Sequence, residues 1–89
     1  MSLTTAEGNA DPLSEAEFRD RLRDLPPSAK LVAKVLETDA PLSQGDLAEE
    51  SLLPDRTVRY ALNRLEERDL VGSRHSFRDA RKQVYFLRT

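Results

Sequence analysis

The chain has 89 residues, no Cys and a formal charge of −2 from 14 basic and 16 acidic side chains. That length makes one domain around one small core, and the absence of Cys excludes disulfides, thiolate nucleophiles and Cys-ligated metals. With no apolar run of about 18 residues and no charged-then-apolar leader, the expectation is a cytoplasmic protein without a membrane segment.

The net charge conceals a gradient. Residues 1–25 hold three Arg against six acids, net −3. Residues 26–55 hold two Lys against six acids, net −4. Residues 56–89 hold eight Arg and one Lys against four acids, net +5. Basic charge gathered in the last third is the distribution expected of a half that faces nucleic acid.

Residues 1–12 contain Gly8 and Asn9 and little apolar surface, and read as a disordered tail ahead of one domain over 13–89. Ser14-Glu15-Ala16-Glu17 is a capping box, in which the hydroxyl serves the third helical amide and the carboxylate reaches back. It opens a helix over 15–25. Phe18, Leu22 and Leu25 form a narrow stripe on that helix, while Arg19, Asp20, Arg21, Arg23 and Asp24 make a mixed, solvated face. The stripe either packs on the chain's own core or pairs with a second copy, making a homodimer through the first helix (14–25).

Pro26-Pro27 stops this helix. Ser28 is expected to cap a second helix over 29–38, with Leu31, Val32, Val35 and Leu36 buried and Lys30, Lys34 and Glu37 outside. Asp39-Ala40-Pro41 is a turn, and residues 41–43 form a short edge strand, where proline costs no ladder bond. Ser43 and Asp46 repeat the cap signal. The helix that follows, 44–51, buries Leu47 and Ala48. Leu52-Leu53-Pro54 breaks it, and Asp55 is expected to cap the next helix.

That next stretch, 55–69, has the plainest pattern in the chain. Val58, Ala61, Leu62 and Leu65 recur at the spacing of one buried helical face. Arg56, Arg59, Tyr60 and Asn63 then point the other way. Strands follow at 70–74 and 84–87, the second rich in β-branched and aromatic residues. The polar, basic segment between them carries Arg78, Arg81 and Lys82. Two short helices joined by a tight turn and followed by a basic hairpin make a helix-turn-helix with a wing over 74–83.

From Pro41 onward, PLSQGDLAEESLLPDRTVRYALNRLEERDLV and the closing QVYFL resemble the winged helix-turn-helix of MarR-like and TrmB-like transcriptional regulators of bacteria or archaea. The resemblance implies a mainly α fold with a small β-hairpin (α+β), in the order α-α-(β)-α-α-β-β. It implies sequence-specific binding of double-stranded DNA, with 55–69 as the recognition helix. Arg56 and Arg59 would then reach base edges or phosphates, and arginine can bond guanine bidentately. Asn63 can pair with adenine in the same manner, or reach phosphate. Tyr60 and Thr57 suit phosphate or a thymine methyl. Ser43 and Gln44 are candidates for a backbone phosphate, and Arg78, Arg81 and Lys82 for the flanking backbone or minor groove.

Two departures stand out. Many members of this family carry glycine in the turn, where this chain has Leu52, which implies a wider turn or a strain of roughly 1 kcal/mol. The family's regulators also continue into a long dimerising helix after the wing. With the sequence ending at Thr89, a dimer would use the first helix or the wing strands, and a monomer is the alternative.

The sequence also bears on other functional classes. A winged helix that binds protein, in a transcription or replication assembly, is favoured by the net −7 of residues 1–55 and by the use of one fold for many functions. A ligand-sensing regulator is disfavoured by the small core, and no small-molecule ligand or cofactor is expected. His75, the only histidine, reads as an exposed strand-end residue and not a metal ligand. Arg64 and Arg68 lie on the helix flank and are expected to pair with Glu66, Glu67 or neighbouring acids. Nothing suggests an enzyme: the serines sit at caps, and no phosphate-binding glycine loop occurs.

Overall fold

The computed structural model describes residues 13–89; the tail expected at 1–12 lies outside them. Four helices and three strands follow one another as α1 (Glu15–Arg23), α2 (Pro27–Asp39), β1 (Leu42–Ser43), α3 (Gln44–Ser51), α4 (Asp55–Glu67), β2 (Val71–His75) and β3 (Gln83–Leu87). This is the expected order of elements.

The capping box of α1 forms in full: Ser14 Oγ accepts the Glu17 N–H, and Glu17 Oε1 accepts the Ser14 N–H at 3.0 Å. That second bond holds the Glu17 carboxyl below its ordinary value, because it stabilises the ionised form. Phe18 and, just past the helix, Leu25 are buried in the chain's own core, so the narrow stripe is largely consumed within one molecule.

The start of α2 differs from expectation. Ser28 does not cap it. Pro26 is the N-cap and makes no side-chain cap bond, and Pro27 is the first helical residue. The reason is that proline at this position gives up only an N–H that would have no partner, and its fixed φ suits a helix. The buried face also differs: Ala29, Val32, Ala33 and Leu36 are inside, Val35 is half-buried, and Leu31 is 40% exposed. Small side chains let helices approach closely, and α2 lies along α4, whose buried face includes Ala61. Close packing by alanine outweighed the larger apolar residue.

The Ser43–Asp46 capping box opens α3 as expected. Its end is Leu52, in the left-handed region at φ 63, the strained alternative of the two foreseen. Asp55 is not the cap of α4. Pro54 is, its carbonyl accepting the N–H groups of Thr57 and Val58, while Asp55 becomes the first helical residue. Its carboxylate still stands in the first turn, where the helix dipole favours it.

Val58, Ala61, Leu62 and Leu65 are all buried, as the periodicity required. The helix ends at Glu67, before the expected 69. Asp69 takes φ 59, its N–H donates to the Glu66 carbonyl, and the Leu70 N–H donates to the Leu65 carbonyl at 2.9 Å. This is a Schellman motif with aspartate in the usual glycine position. Leu65 and Leu70, which flank it, are both fully buried.

The sheet is antiparallel in the order β1-β3-β2, so β3 is central. Leu42 faces Tyr85 across one side, and Gly72 faces Phe86 across the other. A Cβ on Gly72 would stand 2.8 Å from the Phe86 ring, which is why glycine suits this position. The Leu13 N–H donates to the Arg88 carbonyl and the Arg88 N–H to the Leu70 carbonyl, each at 2.9 Å, tying α1 to the sheet.

Candidate nucleic-acid interface

The interface is built outward from α4. With its buried face committed to the core, geometry places Arg56, Arg59, Tyr60 and Asn63 outside, and all four are exposed, with Thr57 half-buried. Among the described residues, Arg56 and Arg59 make no ion pair. Arg64 differs: its Nη1 lies 2.9 Å from Glu67 Oε1, as expected from its flank position, and its Nε is buried without a partner. Arg68 makes no ion pair among the described residues; its carbonyl instead accepts Arg21 Nη1 at 2.9 Å. A guanidinium on the C-terminal end of α4 complements the helix dipole there.

The wing is the loop Ser76–Lys82 between β2 and β3, pinned at its base by the Ser76 N–H donating to the Lys82 carbonyl at 2.8 Å. Arg78, Arg81 and Lys82 are exposed on it. Arg81 is partly neutralised by Asp79 at 3.4 Å, while Arg78 and Lys82 make no ion pair among the described residues. His75 is exposed at the end of β2.

The two remaining candidates behave differently. Ser43 is 5% exposed and its hydroxyl already caps α3. Its oxygen accepts the Asp46 N–H, which leaves the hydroxyl hydrogen as a donor on a largely buried side chain. Gln44 is half-buried, and its Nε2 donates to the Asp55 carbonyl at 3.3 Å. That bond joins the start of α3 to the start of α4. Gln44 also lines an open groove of about 470 Å³ with Arg81, Lys82, Gln83 and Tyr85. The groove links the helix-turn-helix to the wing base, and Asp46 and Glu49 line it as well.

Tyr85, on the central strand, was absent from the sequence expectation. Burial pushes its phenol above the ordinary value; Glu66 adds to this and Arg59 opposes it. The strand therefore stands within electrostatic reach of the exposed face of α4. Only the register of β3 reveals this, since the sequence reads Tyr85 as one more strand aromatic. Phe77 and Arg74 on the wing were likewise missed. A lone aromatic in a polar, basic loop was the available signal.

Two helices set across a tight turn, with a basic hairpin beside the second, make this a winged helix-turn-helix. Residues 33–71 match the family model described as winged helix-turn-helix DNA-binding. The solved structures it resembles are MarR-like regulators. One is the MepR–DNA complex of S. aureus: TM-score 0.69, 23% identity, covering 83% of this chain and 64% of that one. Another is BpsR of Bordetella bronchiseptica, described as regulated in DNA binding by 6-hydroxynicotinic acid: TM-score 0.69, 26% identity, covering 81% and 53%. A third is described as a MarR family transcription regulator: TM-score 0.69, 18% identity, covering 81% and 48%. The chain thus spans about half to two-thirds of the length of these proteins. No curated protein sequence matches it. Among the described residues, no helix is long and apolar enough to cross a membrane.

Proposed function

We propose that this protein binds double-stranded DNA sequence-specifically as a transcription regulator, with α4 in the major groove and the wing on the flanking backbone or minor groove. The observation that carries the reading is the outer face of α4. Arg56 and Arg59 stand exposed and without ion pairs among the described residues, beside Tyr60 and Asn63, in a chain that is acidic overall. Uncommitted arginines in the first turns of a helix are placed to read base edges, and exposed wing arginines to neutralise phosphates. The acidic end of α4 points the same way: Glu66 and Glu67 repel phosphate, so the N-terminal half is the part that enters the groove.

The test is fluorescence anisotropy with duplex DNA from upstream of the protein's own gene. Arg59→Ala should weaken binding to the preferred site by about 1–3 kcal/mol and relax specificity at one base pair. Arg78→Ala should weaken binding to all sequences alike and lower the salt slope by about one. Unchanged affinity in both variants would remove the groove-and-wing assignment.

A second reading, a protein-binding winged helix, is favoured by the groove at the wing base, where Asp46 and Glu49 face Arg81 and Lys82 and temper the local charge. An absence of duplex binding at low salt, where phosphate contacts are strongest, would select it.

A further inference from the structure

The wing carries a feature that phosphate contact does not explain. Phe77 sits between Ser76 and Arg78 and is 96% exposed. A phenylalanine ring left wholly in water forgoes its burial, and the loop holding it is shaped by specific bonds. Ser76 Oγ accepts the Arg78 N–H at 3.2 Å and Asp79 Oδ1 accepts the Arg81 N–H at 3.1 Å, while the Lys82 N–H donates to the Asp79 carbonyl at 2.9 Å. The ring is also steadied from behind. The Arg74 guanidinium carbon lies 5.1 Å from its centroid, within the range of a cation–π contact.

The surroundings specify the partner. Arg74, Phe77, Arg78 and Lys82 line one cleft with Asp46 of α3, and within residues 71–89 the only acid is Asp79, already turned onto Arg81. The complement is a polyanion that offers a narrow apolar cleft between rows of negative charge. Duplex DNA presents this as its minor groove, where apolar side chains can wedge against a base step. The groove at the hairpin's base joins it to the start of α3, the first helix of the helix-turn-helix.

Resting on the DNA-binding reading above, we infer that Phe77, steadied by Arg74, is a wedge that enters the minor groove beside the α4 contact and seats its ring against a base step. Flexible pyrimidine–purine steps at that point would be favoured, because they unstack at least cost. The wing then contributes selectivity as well as charge.

The chain contains no Trp, so Phe77→Trp makes a single reporter at the tip. The probe is a duplex selected from a randomised pool by the wild-type protein, with vesicles of phosphatidylcholine and phosphatidylserine as the competing anionic apolar surface. The expected results are that the duplex shields the tryptophan from acrylamide and that vesicles do not. Phe77→Ala should bind the selected duplex about tenfold more weakly with an unchanged salt slope, whereas Arg78→Ala lowers the slope. Since Phe77 is exposed, circular dichroism of each variant should match wild type. Wild type that selects no duplex overturns the DNA-binding reading and the wedge together. Tight duplex binding that leaves the tryptophan accessible, with full affinity in Phe77→Ala, overturns the wedge alone. Shielding by vesicles and not by DNA assigns the tip to a lipid surface and overturns it as well.

Discussion

Leu52 offers the sharpest test of how the turn holds α4. It is the one residue between the two helices of the motif with a left-handed backbone, at φ 63 and ψ 23, and its side chain is 89% exposed. A side chain so exposed contributes almost no burial, so replacing it isolates the backbone. An L-residue other than Asn or Asp in this region costs about 1 kcal/mol or somewhat more. Asparagine tolerates it several-fold more readily and adds little freedom to the unfolded chain. Leu52→Asn should therefore raise stability by about 0.5–1 kcal/mol, which for a domain of this size lifts Tm by about 2–8 °C. Leu52→Gly relieves the same strain but gives back about 0.4–1 kcal/mol through the unfolded state, and should fall near wild type. Leu52→Val, β-branched at positive φ, should be the least stable of the four. Thermal and urea unfolding followed by circular dichroism would read the order Asn, then Gly and Leu together, then Val. A Leu52→Asn variant no more stable than wild type, or a Val variant equal to it, would show that the turn does not hold this residue left-handed.

Further outcomes follow from the caps and the charges. Ser43→Ala leaves the Asp46 N–H without its acceptor at a buried position and should cost toward the upper end of about 0.5–2 kcal/mol, whereas Ser14→Ala at the exposed box of α1 should cost toward the lower end; urea midpoints compare the two. Glu50 has its carboxyl raised above the ordinary value by a side-chain hydrogen bond with Asp39, then by burial, and by the charges of Asp39, Asp46 and Glu49. A folded-state pKa raised above the unfolded one means a relative stabilisation that is complete below the unfolded pKa and lost as pH rises through the folded pKa. Glu50→Gln should thus be more stable than wild type at pH about 7, with the gap closing toward pH about 4, near the ordinary range for Glu. A gap that stays constant over that range would remove the Asp39–Glu50 repulsion from the account.

How much of the architecture was legible from residues depended on whether the cause was local. The two capping boxes lie within four-residue windows, and both formed. The buried face of α4 was readable because four large or small apolar residues share one turn angle and the opposite positions are charged. The α2 face was misread because Leu31 and Val35 outweigh Ala29 and Ala33 on any scale of apolarity. What placed the alanines inside was the close passage of α4, a contact between residues far apart in the chain. Ser28 and Asp55 were credited with caps for their hydrogen-bonding ability, yet a proline one or two residues earlier begins each helix with its own carbonyl.

The candidate site divides along the same line. By itself the sequence determined which helix carries the exposed arginines, that a basic hairpin follows it, and that the turn between the helices lacks glycine. Each of these is a statement about spacing and residue type within a dozen positions. The tertiary structure alone decided that Ser43 lies beneath the surface, and that Gln44 joins α3 to α4. It also brought Tyr85 within electrostatic reach of Arg59 and set the Arg74 guanidinium over the Phe77 ring. The physical reason is that availability is a property of neighbours. A hydroxyl, a guanidinium or a ring can meet a partner only if folding leaves it unspent, and the elements that spend it arrive from elsewhere in the chain.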